Sequence, residues 1–209
     1  KSTINVLQTL DNLNILFIGN SGSGKTTLLD CITRDYYGLE KNETIRETNV
    51  LYINNLKDQG IQFFRNEMKT FCQSTCSIRN KKKLILIDDL DTINDQSQQV
   101  FRNYIDKYSK NVNFICVCNT VQKVIESLQS RLHIIKIPLF SDDYCNFLID
   151  NVNKQENLNI SKPVKKYLLN SSQNSVRILI NHLEKIHLYN NKINLEDCKE
   201  LCNSISYQH

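Results

Sequence analysis

Apolar positions along this chain recur with two periods, and the change from one to the other divides the sequence. Short apolar-rich runs stand at Ile15–Ile18, Val50–Ile53, Leu84–Ile87, Val112–Cys118 and His133–Ile137, and each is read as a strand. Leu84–Ile87, apolar throughout, is a strand of the kind found inside parallel sheets. The first such strand is read from Asn14 to Ile18. Between the runs the period is helical. A helix is predicted from the end of the glycine-rich stretch to about Arg34, and residues 35–48 read as polar and irregular. Ile61, Phe64, Met68 and Phe71 then fall on one helical face, with Arg65 and Lys69 on the other. Residues 95–109 carry Val100, Phe101, Tyr104, Ile105 and Tyr108 inward. A short helix is also predicted over 2–10, through Ile4, Val6, Leu7 and Leu10. Strands alternating with helices imply an α/β fold, here a five-stranded parallel sheet with helices on both faces.

After Pro138 only the helical period remains. Ser141 is a predicted N-cap before Asp142 and Asp143, with Tyr144, Phe147 and Leu148 as the apolar face. Ser161 with Pro163 opens a second helix, Val176–Leu188 makes a third, and Leu195 to about Asn203 a fourth. The division expected is an α/β domain over 1–139 and a small all-α domain over 140–209, with neither internal repeat nor long linker.

Composition narrows the class. A chain of 209 residues buries a sizeable core, and 40% apolar with 23% charged content is ordinary for a globular protein. A formal charge of +4 permits nucleic-acid binding without demonstrating it. Eight cysteines (Cys31, Cys72, Cys76, Cys116, Cys118, Cys145, Cys198 and Cys202) lack the paired spacing of a zinc site and mostly occupy apolar positions. They are read as reduced core thiols of an intracellular, soluble protein. The sequence has no signal peptide and no apolar run long enough for a membrane span, so no membrane partner is expected. Because the chain starts at Lys1, a trimmed N-terminus is expected; the many Asn and Lys residues suit an AT-rich genome.

Chemistry enters at Gly19–Thr27, GNSGSGKTT, directly after the first strand. Gly19, Gly24, Lys25 and Thr26 match G-x-x-x-x-G-K-[ST], a phosphate-binding loop between strand and helix. Glycines let the backbone approach a phosphate, and successive N–H groups from Asn20, Ser21, Gly22, Ser23, Gly24 and Thr27 would form an anion cradle at a helix N-terminus. Lys25 would reach the β- and γ-phosphates of ATP, and the Thr26 hydroxyl would ligate Mg²⁺. The bland alternative is a glycine-rich turn, but the whole pattern is present in its required context.

The run Leu84–Ile87 ends in Asp88-Asp89, placing two carboxylates at the carboxyl edge of the sheet. Asp88 would hold Mg²⁺, mostly through water, and Asp89 would sit where a base orients the attacking water. Asn119 closes the strand 112–118 and would present an amide to that water or to the γ-phosphate, unless it only forms a turn. Arg131 precedes the last strand. It is either a surface residue or a charge delivered to a neighbouring subunit's nucleotide. Arg177 begins the third helix of the small domain, where a cation would reach back over the phosphates.

These segments together resemble an AAA+ ATPase, and within that superfamily the small subunits of replication factor C, the sliding-clamp loader. The carrying stretches, in family order, are NILFIGNSGSGKT, NNLKDQGIQFFRNEMKTF, LILIDDLDTINDQSQQVFRNYIDKY, FICVCNTVQKVIESLQSRLHIIKIPL, SVRILINHLEK and INLEDCKELC. The second and fourth are more specific than a phosphate loop alone. The resemblance implies that Gly19–Thr27 is Walker A, Asp88-Asp89 Walker B, Asn119 the first sensor and Arg177 the second. It implies that Ser130-Arg131 begins a Ser-Arg-Cys motif whose arginine completes the adjacent subunit's ATP site. The helix from about Gly60 is implied to touch DNA phosphates, with Arg65 as a basic contact and Gln59 where an arginine is usual. The Lys81–Lys83 run is read mainly as a solvated loop.

Four departures from the family pattern stand out. Asp89 replaces a glutamate and Leu132 replaces the cysteine of the motif; the N-terminal segment that covers the adenine is expected to be missing or cut short before Lys1, and the C-terminal collar through which the family builds its ring is expected to lie outside residues 1–209. The implied function is an ATP-hydrolysing subunit in a hetero-oligomeric ring, a pentamer, that opens a sliding clamp and loads it onto primer–template DNA. The implied setting is the nucleus, or a viral replication compartment if the source is a large DNA virus. Two alternatives stay open: a mainly structural nucleotide-binding subunit that lends Arg131 to a neighbour, and another AAA+ replication ATPase, an origin-binding protein or helicase loader.

Overall fold

A computed structural model of the chain describes residues 12–40, 43–45, 47–53, 61–189 and 193–202, with the side chains of 61–65 left out. The helix read over residues 2–10 lies outside the described residues. Two compact units emerge, one of residues 1–19 with 25–137, the other of residues 20–24 with 138–209.

The first unit is built on β1 (Ile15–Ile18), β2 (Val50–Ile53), β3 (Lys83–Ile87), β4 (Val112–Cys118) and β5 (His133–Lys136). All neighbours are parallel, in the order β2-β3-β4-β1-β5. Every residue of β3 and β4 is buried, and apart from Lys83 and Asn113 all are apolar. Alternate side chains feed two cores. Leu16, Ile85, Ile87, Phe114, Cys116 and Cys118 pack with Met68, Cys72, Phe101 and Ile105 from α2 (Ile61–Gln73) and α3 (Asp95–Tyr108). Ile15, Phe17, Leu84, Leu86, Ile115 and Val117 pack on the opposite face against Leu29, Ile32 and Tyr36 of α1 (Lys25–Tyr37). A one-residue slip of any strand would exchange these faces, so the register is tightly specified.

Helix ends follow local chemistry. α1 runs past the expected Arg34 because Tyr36 is buried, and stops at Gly38, whose φ of 67° closes the C-terminus with a Leu39 N–H to Arg34 C=O bond of 2.9 Å. Asn94 caps α3 by accepting from Ser97 N. Asn14 lies before β1 rather than in it, and its Oδ1 accepts the buried Phe114 N–H at 2.9 Å.

Lys83 corrects the reading of 81–83 as one solvated loop. It is the first residue of β3 and only 3% exposed. Its ammonium donates to Phe71 C=O (3.2 Å) and Ser74 Oγ (2.5 Å), satisfying the C-terminal carbonyl end of α2, and burial lowers its pKa.

The connection from β4 to β5 carries a 3₁₀ turn (Val121–Lys123) and the short α4 (Glu126–Gln129). The fully buried Gln98 of α3 fastens it: Nε2 donates to Ile93 C=O and Lys123 C=O, and Oε1 accepts from Ile125 N–H, all at 2.9 Å.

The second unit is helical: α5 (Asp142–Glu156), α6 (Lys162–Ser172), α7 (Val176–Tyr189) and α8 (Leu195–Cys202). Its core holds Cys145, Ile149, Val164, Leu168, Leu179, Leu183 and Ile186. Ser141 caps α5 by accepting from Tyr144 N, whereas Ser161 starts α6 with no side-chain cap bond, Pro163 setting the first turn instead. All eight cysteines are free thiols; six are buried, Cys76 is half-buried and Cys31 is exposed. Among the described residues, no helix is long and apolar enough to cross a membrane.

Replacing Gln98 by Leu keeps the volume but strands one buried N–H and two carbonyls. Stability should fall by about 2–4 kcal/mol, read as a lower denaturant midpoint at unchanged slope; an unchanged midpoint would show that these bonds are not needed.

Candidate functional site

The strand order sets the site. β3, β4 and β1 are neighbours, so the residues leaving their carboxyl ends, Asp88-Asp89, Asn119 and Gly19, stand side by side along one edge. Gly19 N–H continues the ladder to Cys118 C=O, and Asp88 N–H to Ile53 C=O. The first unit thereby gathers Lys25, Thr26, Asp88, Asp89 and Asn119.

Lys25, the first residue of α1, is 7% exposed. Its Nζ donates to Gly19 C=O at 2.8 Å and to Asn119 Oδ1 at 2.9 Å. The Asn119 amide nitrogen donates in turn to Asp89 Oδ1 at 3.3 Å. Asn119 thus lies between the cation and the second carboxylate. Its oxygen is fixed by the ammonium, which leaves the NH₂ end to face Asp89. Asp89 adopts a left-handed backbone (φ 51°, ψ 48°) at the start of a 3₁₀ turn, Leu90–Thr92. That conformation is tolerated by Asp better than by most residues and turns the chain sharply at the end of β3.

The adjoining carboxylate is organised separately. Thr26 Oγ1 donates to Asp88 Oδ2 at 2.9 Å, and Tyr52 OH donates to the same oxygen at 3.1 Å. Burial, then the Asp88 carboxylate, push the Tyr52 phenol above its ordinary range, so it remains a donor. A hydroxyl and a carboxylate oxygen in contact are hard donors of the kind Mg²⁺ takes beside phosphate and water oxygens. The residues present therefore fit ATP with Mg²⁺.

The loop segment 20–24 belongs to the second unit. Gly22 and Gly24 have φ of 80° and 81°. A Cβ on Gly22 would fall 2.1 Å from Ser175 Oγ, so that position requires glycine for space as well as for dihedral angle. Ser175 Oγ donates to Ser21 C=O at 3.4 Å, and Arg177 Nη1 donates to Ser21 Oγ at 3.2 Å. Ser23 Oγ is buried with no hydrogen-bond partner among the described residues, an orphan polar atom of the sort a ligand oxygen satisfies.

Arg131 stands apart from these groups, following α4. It is paired inside its own chain, Nε donating to Asp106 Oδ1 at 2.6 Å and Nη1 to Ser127 C=O at 2.6 Å. The Arg131 hydrogen bond holds the Asp106 carboxyl below its usual range. Arg65 lies in α2, its side chain outside the described set, and Gln59 lies outside the described residues. Thr27 lies in the first turn of α1, exposed.

The motifs alone did not point to Tyr52, Asp91, Asp106 or Ser175. Asp91 Oδ2 accepts the N–H groups of Asn119 (3.3 Å) and Thr120 (3.0 Å), fixing the turn after β4. Its one sequence signal is the D-D-x-D spacing with Asp88 and Asp89. Ser175 sits two residues before Arg177, and nothing in the pattern separates it from an ordinary helix-start serine.

A phosphate-loop lysine, two strand-end carboxylates and a strand-end asparagine on a five-stranded parallel sheet define a P-loop nucleotide site, and comparison with known proteins specifies its class. The profile of the ATPase family associated with various cellular activities (AAA) matches residues 15–139, and the chain belongs to that family. More particularly, it is 30% identical over 184 residues to the replication factor C small subunit of Sulfolobus acidocaldarius, covering 88% of this chain and 54% of that protein. It is also 30% identical over 185 residues to replication factor C subunit 4 of Homo sapiens, covering 85% and 50%. The chain spans about half the length of these curated relatives. A mutant of RuvB from Thermotoga maritima aligns with TM-score 0.66 at 12% identity, over 95% of this chain and 65% of that one, which shows a shared fold.

Replacing Asn119 by Ala removes the acceptor for Lys25 and the donor to Asp89 together. If ATP is cleaved at this strand edge, the expected result is a fall of about 100-fold in single-turnover cleavage with ATP affinity held within a few-fold. Equal loss of affinity and cleavage would show that Asn119 only supports the loop.

Proposed function

We propose that this chain is the ATP-binding and hydrolysing subunit of a clamp loader, which opens a sliding clamp and sets it on primer–template DNA during replication. The observation that carries the catalytic half is the hydrogen-bonded series Lys25–Asn119–Asp89 beside Thr26–Asp88. The similarity to replication factor C small subunits over most of the chain supports the loader half.

In this reading residues 1–139 form the ATPase domain and 140–209 the helical lid. The backbone from Asn20 to Thr27 cradles the phosphates, Lys25 engages the β- and γ-phosphates, and Thr26 with Asp88 holds Mg²⁺. The metal would supply charge neutralisation on the phosphates. Asp89 accepts a proton from, or orients, the attacking water, and Asn119 holds that carboxylate at a set distance from the Lys25 ammonium. Arg177, whose Nη1 donates to Ser21 Oγ, carries the second-sensor role. Arg131 acts in trans on a neighbour in a hetero-oligomeric ring, a pentamer, and Arg65 meets DNA phosphates without reading sequence. The setting is the nucleus, or the replication compartment of a large DNA virus.

One observation favours a second reading, a structural subunit with weak turnover of its own. Asp89 is a methylene shorter than glutamate, and its Oδ1 is already engaged by Asn119.

The test is ATP hydrolysis by the full-length protein in its native complex, with and without clamp and primer–template DNA. Strong stimulation, lost on Lys25→Ala and on Arg131→Ala, is the expected result, and no response to clamp or DNA would contradict the loader assignment. In the same assay Asp89→Glu separates the two readings: higher turnover marks Asp89 as a brake, and unchanged turnover shows that Asp89 suffices.

A further inference from the structure

Arg131 is held inside its own chain through two of its three guanidinium nitrogens. Nε is bound to Asp106 Oδ1 at 2.6 Å, and Nη1 to Ser127 C=O at 2.6 Å and Ser130 Oγ at 3.3 Å. Nη2 has no acceptor among the described residues, so two N–H groups remain for an outside ligand. Asp106 lies in the last turns of α3, and its second oxygen stands 3.6 Å from Arg102 Nη2, one helical turn earlier. The carboxylate is thus itself held between two arginines. α3 is anchored by Phe101 and Ile105, both buried in the sheet core, so Asp106 projects from a fixed element.

An unrestrained arginine at a subunit boundary must lose much rotamer freedom each time it meets a phosphate, and a small misplacement costs rate steeply. We propose that Asp106 is the positioning residue for Arg131: it fixes the guanidinium plane so that the Nη2 edge is offered to the triphosphate of an adjoining subunit. This rests on the reading of Arg131 as an arginine acting in trans. Both side chains are partly exposed, 28% for Arg131 and 44% for Asp106, so their ion pair contributes little to fold stability. A positioning role is therefore separable from a structural one.

The test uses the full-length protein in its native complex, with ATP hydrolysis followed for Asp106→Ala, Asp106→Glu, Arg131→Ala and the Asp106→Ala/Arg131→Ala double variant. Asp106→Ala should lower kcat about 10-fold at unchanged KM, unchanged thermal midpoint and unchanged complex assembly. Asp106→Glu should restore most of the rate, and the double variant should match Arg131→Ala alone. A silent Asp106→Ala beside a damaging Arg131→Ala overturns this inference and leaves the trans-acting arginine intact. Additive losses in the double variant, or a rise in kcat on removing Asp106, overturn it as well. A silent Arg131→Ala removes the underlying reading and this inference together.

Discussion

Everything at this site depends on β3, β4 and β1 lying next to one another in one parallel sheet. Neighbouring strands are about 4.8 Å apart, so three strand ends in a row deliver side chains spaced for direct hydrogen bonds. Lys25 arrives from β1 through the loop and α1, Asp88 and Asp89 from β3, and Asn119 from β4 between them. Asn119 reaches Lys25 on one side and Asp89 on the other because β4 is the middle strand.

That geometry is held from below. β3 and β4 are buried along their whole length, with side chains committed alternately to the two cores. Backbone movement at their carboxyl ends would disturb packing on both faces at once, where interiors are close-packed and tolerate little displacement. The turns above the edge are pinned as well. Asp91 accepts two N–H groups after β4, the 3₁₀ turn after Asp89 closes with Thr92 N–H to Asp89 C=O, and Gln98 binds the connection toward α4. A rigid base with fixed turns is what pre-organised electrostatics requires, since groups already in place need no rearrangement as charge develops.

Legibility in the sequence followed contiguity. Gly19 to Thr26 stand out because the whole pattern is packed into a few adjacent residues, and Asp88 stands out only because its apolar run ends in acid in a chain that also carries that loop. The parallel sheet was legible from its buried runs, and Ser141 from the acidic first turn behind it. The Lys25–Asn119 bond joins positions 94 residues apart, and its pairing is fixed only by strand order, which periodicity does not encode. Asp106 looked like any solvent-facing acid of α3 until the chain returned 25 residues later with Arg131. Lys83 was misread for a different reason. Three successive lysines look solvated, but the third begins a buried strand and is accommodated by the carbonyl end of α2. Tyr52 was hidden because a tyrosine in a strand is most often packing, and only the tertiary position of Asp88 gives its hydroxyl a role.

The central claim is that this strand-edge cluster is a Mg²⁺-dependent triphosphate site. Equilibrium binding of a fluorescent ATP analogue to the wild-type chain and to Thr26→Ala, with and without Mg²⁺, tests it most directly. The account requires tighter binding with Mg²⁺ in the wild type and loss of that Mg²⁺ dependence in the variant, because Thr26 Oγ1 and Asp88 Oδ2, in contact at 2.9 Å, are the oxygens proposed to hold the metal. Binding in the wild type that is indifferent to Mg²⁺, or a variant that keeps the full Mg²⁺ effect, would contradict it.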